Sequence, residues 1–143
     1  MENDFGTDSP PITVTSGYRS YNYQKYLFDT AVQSYEGKGY SRAKAETLAA
    51  RYTARPGESE HQSGLCVDIH DRPCATVDFE NSPYFKWLCE NAYRFGYILR
   101  YPKGKESITK IAFEPWHWRY VGCETAEKIK KSGLCLEEYL KKY

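Results

Sequence analysis

The chain has 143 residues, the size of one domain, and 16% of them are aromatic, which is enough large apolar surface for a core. Its 20 basic and 19 acidic residues leave a net charge of +1, so the positive excess typical of nucleic-acid-binding proteins is absent and we expect no such partner. The sequence has neither the run of about 20 apolar residues that a membrane span needs nor the apolar core of a secretory signal.

The first half of the chain is predicted to contain two strands with two helices between them. β-Branched residues predict a strand over 12–15. Apolar residues recur at helical spacing over about 22–35, and a segment rich in Ala, Lys, Arg and Glu predicts a second helix over about 41–52. A loop with a Pro-Gly turn follows, and the short apolar run over 65–69 predicts the second strand.

The second half is predicted to hold one longer helix, three strands and two short terminal helices. Ser82 supplies an N-cap and Pro83 suits the first helical position, so a helix is expected to run to about Phe95, with Gly96 at its end. The remaining elements are strands over 97–101, 108–113 and 116–121, and helices over 125–131 and 136–142. Because strands and helices do not alternate regularly, we predict an α+β domain and not a doubly wound sheet.

Three histidines, His61, His70 and His117, are the first candidates for a metal site. Imidazole and carboxylate suit zinc, and a catalytic zinc has three protein ligands and one open position for water. Asp68 supplies a carboxylate, because an ionised group inside an apolar strand is costly unless it is paired or binds a metal. Since alternate residues of a strand share a face, His70 lies beside Asp68. Two ligand sets therefore remain open: His61, Asp68 and His117, or His61, His70 and His117.

A second group of residues is suited to hydrolysis beside the metal. Glu114 stands three residues before His117, where a carboxylate can take a proton from water and return it to the leaving group. The proline between them excludes the middle of a helix, so a loop or strand must bring the two together. Arg19, on a turn after the first strand, is suited to bind a substrate carboxylate or an oxyanion, with Gln24 and Ser59 as neutral partners.

Each of these candidates also has a structural interpretation. Arg72, or a turn amide near Pro73, would satisfy Asp68 without a metal. A surface salt bridge would explain Arg19. Trp116 suits the core better than a substrate platform, although it is compatible with both.

The five cysteines are odd in number, and no pair has C-x-x-C spacing, so neither a zinc ribbon nor a thioredoxin motif is expected. We predict mostly free, half-buried thiols, with one or two disulfides as the alternative.

Four segments of the sequence together form a specific pattern: SGYRS (16–20), PGESEHQSGLCVDI (56–69), FGYILRYPKGK (95–105) and EPWHWRYVG (114–122). They resemble the zinc D-alanyl-D-alanine carboxypeptidases of the VanY type and the related peptidoglycan L,D-carboxypeptidases. The resemblance covers roughly residues 12 to 141. It implies a small single α+β domain with a central antiparallel sheet flanked by helices, as in hedgehog-like zinc peptidases.

The resemblance also implies how the metal is held. His61, Asp68 and His117 match the family's ligands for one zinc ion, and Glu114 matches its general base and acid. His70 matches no ligand position, which leaves it a bystander.

Substrate contacts are implied in the same way. Arg19 would steady the scissile carbonyl oxygen or the terminal carboxylate, and Gln24 and Ser59 would contact that carboxylate. Trp116 is predicted to contribute to substrate binding beside them.

The sequence departs from the family pattern at two positions and at its start. Cys66 stands where a small Ala is usual, and its spacing from Asp68 predicts that it faces the metal side, with a buried small residue as the alternative. Lys110 stands where a Gly is common. The family usually has more chain before the first strand, including an export or anchor segment, so we expect residues 1–11 to be a lead-in and 12–143 to be the zinc carboxypeptidase domain.

From this resemblance we expect a D,D-carboxypeptidase that removes the terminal D-Ala from peptidoglycan stem peptides, with a metal-bound water attacking and Glu114 as general base. Removal of the glycopeptide (vancomycin) target would use the same chemistry. The alternatives are an L,D-carboxypeptidase acting on tetrapeptides and a non-catalytic zinc domain that binds cell wall. We expect a monomer outside the cytoplasm or at a bacterial cell envelope, with the cytoplasm as the alternative.

Overall fold

The computed structural model describes residues 12–72 and 74–143 of the chain. Its centre is a four-stranded antiparallel sheet in the order β1-β2-β4-β3. The strands are β1 (Thr13–Ser16), β2 (Cys66–His70), β3 (Tyr97–Leu99) and β4 (His117–Tyr120). The predicted α+β class with an antiparallel sheet is confirmed, whereas the predicted lead-in over 1–11 lies outside the described residues.

Six helices flank the sheet in the described part of the chain, together with three short 3-10 segments. The helices are α1 (Tyr21–Glu36), α2 (Arg42–Ala49), α3 (Pro83–Asn91), α4 (Glu106–Thr109), α5 (Cys123–Ser132) and α6 (Leu136–Lys142). The 3-10 segments are Glu60–Ser63, Val77–Asn81 and Ala92–Phe95.

Both ends of the helix predicted after Ser82 are found. The Ser82 hydroxyl accepts a hydrogen bond from the backbone N–H of Tyr84 at 3.2 Å, and Pro83 occupies the first turn. After α3 the chain continues as a 3-10 segment and ends at Gly96, whose φ is 83°. A Cβ there would lie 2.6 Å from a ring carbon of Tyr120, so this position requires glycine on grounds of both conformation and space.

The two faces of the sheet differ in chemistry. On one face Val67 of β2 and Trp118 of β4 form a cross-strand pair against the main apolar core. That core consists of Phe79, Tyr84, Leu88, Ala92 and Trp118. Because side chains alternate along a strand, the opposite face carries Cys66, Asp68 and His117. The polar candidates of the sequence therefore share one side of the sheet.

Two smaller clusters fix the elements around this polar face. Helices α1 and α2 pack through Phe28, Val32, Ala45 and Ala49. Near the C-terminus the cluster is Ile98, Ala126, Ile129 and Leu136. Burial of each large apolar side chain contributes about 1.5–3 kcal/mol, which holds α1 to α2 and holds α5 and α6 to β3.

The strand predicted over 108–113 is wrong. Residues Glu106–Thr109 form α4 instead, and the helix ends at Lys110, whose φ of 65° lies in the left-handed region. The backbone N–H of Ala112 then donates to the carbonyl of Arg51 at 3.0 Å, outside the sheet. A four-residue helix is too short to show helical periodicity, so its β-branched residues alone suggested a strand.

Candidate metal centre and active site

The three side chains predicted as metal ligands lie together on the polar face of the sheet. His61 comes from the 3-10 segment before β2, Asp68 from β2, and His117 from β4, directly opposite Asp68 in the register. Oδ1 of Asp68 lies 3.2 Å from Nε2 of His61 and 3.2 Å from Nδ1 of His117. All three residues are buried. One oxygen of Asp68 is therefore close to both imidazoles, a separation that a shared ion could bridge.

The ring of His61 is held in an orientation that suits a metal ligand. Its Nδ1 lies 2.7 Å from the carbonyl oxygen of Gly17, which can only accept, so Nδ1 carries a hydrogen. Nε2 is thereby left to face Asp68. The backbone N–H of Arg19 donates to the His61 carbonyl at 3.0 Å, which ties the loop after β1 to the same segment. Metal-binding histidines usually donate their second ring N–H in this way.

The two oxygens of Asp68 have different surroundings. Oδ2 accepts a hydrogen bond of 2.6 Å from Nη2 of Arg19. Oδ1 is buried and accepts no hydrogen bond of good geometry from the described residues, although it faces His61 and His117. A buried carboxylate oxygen without a donor is costly. This oxygen therefore fits a metal ion between the two imidazoles.

The partner of Asp68 differs from one of the two structural alternatives drawn from the sequence. Arg72 is exposed, and its Nη1 lies 4.0 Å from Asp78, so the alternative in which Arg72 satisfies Asp68 is wrong. Pro73 lies outside the described residues. Arg19 does form a salt bridge, but its side chain is only 17% exposed, so the pair belongs to the site and not to the surface.

His70 stands apart from this cluster, so the set of three histidines is not formed. Its Nδ1 accepts a hydrogen bond from the backbone N–H of Arg72 at 2.9 Å, and its Nε2 lies 3.4 Å from the carbonyl of Thr76. Its ring packs on Phe79, with centroids 4.8 Å apart. His70 therefore stabilises the loop after β2.

Charges at the centre strongly affect one another. Burial acts to raise the pKa of Asp68, but the imidazoles of His117 and His61 outweigh it and hold that pKa well below its usual range. Burial acts to lower the pKa of His61, but Asp68 and Cys66 raise it to about 9. The pKa of His117 is raised well above its ordinary value, since Asp68 outweighs burial there too. A metal ion must displace these protons.

A fourth donor, the thiol of Cys66, points into the same cluster. Its Sγ, a ring nitrogen of His61 and a ring nitrogen of His117 all lie within 4.8 Å of one another. Burial acts to raise the pKa of Cys66, but hydrogen bonds with the two imidazoles outweigh it and lower that pKa. The prediction that Cys66 faces the metal side is confirmed. The five cysteines are free thiols, as expected for most of them, but only Cys89 is half-buried: Cys66 and Cys135 are buried, and Cys74 and Cys123 are exposed.

Glu114 lies beside the centre on the loop before β4. Its Oε2 is 3.6 Å from Nδ1 of His117, the nitrogen that faces Asp68. The loop is fixed by the backbone N–H of Glu114, which donates to the carbonyl of Tyr101 at 3.2 Å, and by that of His117, which donates to Glu114 at 3.2 Å. Burial raises the pKa of Glu114 to about 8. A carboxyl that titrates near neutral pH is suited to exchange protons with a substrate.

An open cleft leads to this centre. The other residues predicted to contact substrate line it: Arg19, Gln24, Ser59 and Trp116. Gln24 is 1% exposed and is held by two hydrogen bonds, one from Nη1 of Arg19 at 3.4 Å and one to the carbonyl of Ala54 at 2.8 Å. Nε of Arg19 donates to the Ser16 hydroxyl at 2.7 Å. The structure thus brings all the predicted site residues to one place.

A buried charge network behind the centre was missed at the level of sequence. Arg100 is 9% exposed; it donates to Glu60 at 2.7 Å and to both carboxylate oxygens of Glu137 at 3.0 and 2.7 Å. Arg119 lies 3.1 Å from the same Glu60 oxygen. Burial acts to raise the pKa of Glu60, but His117 and Arg100 lower it to about 2. The signal in the sequence is Arg100 at the end of an apolar strand, because a buried arginine needs a partner of opposite charge for the same reason as a buried aspartate.

This fold and site define a small α+β protein with a buried centre of histidine, carboxylate and thiol donors. Residues 1–123 match the family model described as VanY, D-alanyl-D-alanine carboxypeptidase, and the chain belongs to that family. A D-alanyl-D-alanine carboxypeptidase of Enterococcus faecalis is 49% identical over 127 residues, which are 89% of this chain and 46% of that protein. The chain therefore spans less than half the length of this relative.

Two solved structures are similar to the chain. A mutant of the vancomycin resistance D,D-pentapeptidase VanY, from a VanB-type cassette and in complex with Zn(II), is 47% identical with a TM-score of 0.81, covering 93% of this chain and 73% of that one. The LD-carboxypeptidase LdcB is 44% identical with a TM-score of 0.77, covering 91% and 58%. The predicted family and fold are confirmed. Within residues 12–72 and 74–143, no helix has the length and apolarity to cross a membrane.

Proposed function

We propose that this chain is a zinc-dependent D,D-carboxypeptidase that removes the terminal D-Ala from peptidoglycan stem peptides ending in D-Ala-D-Ala. The observation that carries the proposal is the position of Oδ1 of Asp68, which lies 3.2 Å from a ring nitrogen of His61 and of His117 without a hydrogen bond of good geometry, with Glu114 beside them. The family description and the Zn(II) in a 47% identical structure support it.

His61, Asp68 and His117 would hold the zinc ion. Two imidazole nitrogens and one carboxylate oxygen are a donor set of catalytic zinc sites. When bound, zinc polarises a carbonyl group and lowers the pKa of water toward about 7. Gly17 already orients His61, and Arg19 already orients Asp68, so the ligands need little ordering.

Glu114 would accept a proton from the attacking water and deliver it to the nitrogen of the departing D-Ala. Its pKa of about 8 in the metal-free protein arises from burial. Because added positive charge favours the ionised form, a metal ion in the site would lower this pKa and favour the carboxylate that the proposed role needs. The backbone hydrogen bond to Tyr101 holds its loop in place.

Arg19 would bind the terminal carboxylate of the substrate or the oxyanion that forms during attack. A guanidinium has five N–H donors, and those of Arg19 donate to Ser16, Gln24 and Asp68. Two donors therefore have no partner among the described residues and remain for the substrate. We place Gln24, Ser59 and Trp116 around the same group, because all of them line the cleft.

The similarity to LdcB favours one alternative, an L,D-carboxypeptidase. The hydrolytic groups would be the same, and only the residue before the departing D-Ala would differ. A non-catalytic wall-binding domain is disfavoured because Glu114 and Arg19 both lie at the centre.

A matched pair of substrates separates these functions. Zinc-loaded protein is incubated with a pentapeptide ending in D-Ala-D-Ala and with the tetrapeptide ending in L-Lys-D-Ala, and released D-Ala is measured with and without a chelator. We expect release from the pentapeptide that the chelator abolishes and zinc restores. Release from the tetrapeptide alone would favour the L,D activity, and release from neither would favour the non-catalytic domain.

The proposal extends to the setting of the reaction. We place the protein, as a monomer, on peptidoglycan or its precursors at a bacterial cell envelope. Removing the terminal D-Ala also removes the end that glycopeptide antibiotics bind. Expression of the wild type, but not of Glu114→Gln, is therefore expected to lower the vancomycin sensitivity of a susceptible host.

A further inference from the structure

Strand β2 places a sulfur atom beside the predicted zinc ligands. Cys66 and Asp68 share a face of the strand and are 1% and 4% exposed. Sγ of Cys66 and one ring nitrogen each of His61 and His117 lie within 4.8 Å of one another. Donor atoms bind zinc at about 2.0–2.3 Å, so these three atoms could hold one ion after small inward shifts. The proposed hydrolysis makes no use of this sulfur.

The sulfur changes the kind of ion that the cluster prefers. Thiolate is a soft donor that selects soft metal ions, whereas carboxylate suits hard ones. Asp68 is engaged on one oxygen by Arg19 at 2.6 Å. A metal ion bound by His61 and His117 can therefore take either of two chemically distinct third donors, the sulfur of Cys66 or an oxygen of Asp68.

We propose that His61, Cys66 and His117 form a second donor set that binds thiophilic metal ions such as Cd²⁺ in competition with zinc. On binding, the S–H bond of Cys66 breaks and its proton passes to solvent. The thiolate sulfur then forms a bond to the metal ion, and neither the sulfur nor the metal changes its oxidation state. The two histidines cannot serve both ions at once, so a thiophilic ion displaces zinc. In this respect the inference rests on the proposed zinc site.

Two measurements on the full chain test the proposal. One is the affinity for Cd²⁺ alone and for Zn²⁺ alone, by competition with a chromophoric chelator; the other is the ultraviolet charge-transfer absorption of cadmium thiolate. The first equivalent of Cd²⁺ is expected to produce this absorption in the wild type. In Cys66→Ala the absorption should be lost, and the ratio of Cd²⁺ to Zn²⁺ affinity should fall by about tenfold or more, because even an outer partner of a metal site contributes about 10–100-fold.

Two further variants keep the test specific. Cys89→Ala removes a half-buried thiol of α3 that is not part of the cluster, and it should keep both the absorption and the ratio. Cys66→Ser preserves the size of the side chain but offers a hard oxygen, so it should behave like Cys66→Ala. If either Cys66 variant retains the absorption and ratio of the wild type, the second donor set does not exist and other thiols bind the Cd²⁺.

This proposal and the proposed function can fail separately. If zinc binds and supports D-Ala release while Cd²⁺ binding is independent of Cys66, only the second donor set is refuted. If Cd²⁺ binding depends on Cys66 but the zinc-loaded protein releases no D-Ala, only the hydrolysis is refuted. If neither ion binds the wild type, both proposals fail.

Discussion

Oε2 of Glu60 lies 3.7 Å from Nε2 of His117, and neither atom has a hydrogen-bond partner among the described residues. The other oxygen of Glu60 is held by Arg100 at 2.7 Å and by Arg119 at 3.1 Å. Nδ1 of His117 faces Asp68, so Nε2 is the ring nitrogen that faces Glu60, 3.7 Å away. A carboxylate on the far nitrogen of a metal-binding histidine fixes its tautomer and raises its basicity. Glu60 therefore has the position of a residue that orients His117.

Replacing this carboxylate should weaken metal binding. Glu60→Gln is expected to lower zinc affinity by about 10–100-fold, as measured by chelator competition. Glu58→Gln is the matched control, since it removes the same charge from an exposed position two residues earlier. A folded Glu60→Gln protein with the zinc affinity of the wild type would show that Glu60 does not orient His117.

Removing the proton acceptor should separate metal binding from turnover. Glu114→Gln is expected to retain zinc, because Glu114 is not one of the predicted ligands, and to lose about 10²–10⁴-fold in kcat, the usual contribution of a general base. Metal content and D-Ala release are measured on the same sample. Near-normal turnover in a zinc-containing Glu114→Gln protein would contradict the proposed role.

Zinc affinity should increase with pH. In the metal-free protein the pKa of His61 is raised to about 9, so zinc must displace a proton below that pH. The same shift stabilises the metal-free fold fully below the unfolded value of about 6.5, and this contribution is lost as pH rises to about 9. Chelator-treated protein should thus melt at lower temperature as pH rises through this window. A zinc affinity that is constant between pH 6 and 9 would argue against protonated imidazoles at the site.

Arg19→Lys should impair catalysis although it keeps the charge. A lysine can still pair with Asp68, but its single ammonium cannot also hold Ser16, Gln24 and a substrate oxygen in a fixed geometry. Loss of an oxyanion donor typically costs about 10²–10³-fold in kcat. Arg72→Lys, at an exposed position, is the control and should change nothing. If Arg19→Lys and Arg72→Lys had equal kcat and KM, the proposed role of Arg19 in substrate binding would be wrong.

Lys110→Gly should stabilise the protein. The left-handed φ of 65° costs a non-glycine residue about 1–2 kcal/mol, and glycine would remove this cost. The greater freedom of glycine in the unfolded chain acts in the opposite direction and lowers the free energy of unfolding by about 0.4–1 kcal/mol. The free energy of unfolding, from denaturant titration, is expected to rise by up to about 1 kcal/mol. Lys110→Ala loses the hydrogen bond from Nζ to the Ser107 carbonyl without relieving the backbone, so it should not stabilise. A destabilised Lys110→Gly protein would mean that this side-chain hydrogen bond outweighs the strain.

The parts of the structure that sequence could predict are those with a local physical cause. Ser82 and Pro83 begin a helix because the cap and the fixed φ act within one turn. Asp68 was recognised because a charge in an apolar strand must be compensated, and strand alternation then placed Cys66 beside it. The roles of the catalytic residues, by contrast, rest on the family resemblance and on the proposals made from it.

What sequence could not predict depends on contacts between distant residues. Asp68 pairs with Arg19, 49 residues earlier, instead of the nearby Arg72, and no local pattern encodes that choice. Spacing also could not decide whether Asp68 or His70 is the metal ligand, because both are buried on the same face of the strand. The orientation of the His70 ring depends on a contact with Thr76 in the following loop, which the sequence does not reveal.

Asp68 and His117 are direct neighbours across the β2-β4 pair. A slip of one residue in that pairing would turn one partner toward the apolar side, because side chains alternate with a period of two. The distance between the side chains of Asp68 and His117 is thus set mainly by the backbone geometry of the two paired strands, and not by the conformation of a loop. Pairing of these two strands would therefore also set two of the three donors of the proposed cation site, so retention of an ion is expected to depend on whether the strands are correctly aligned.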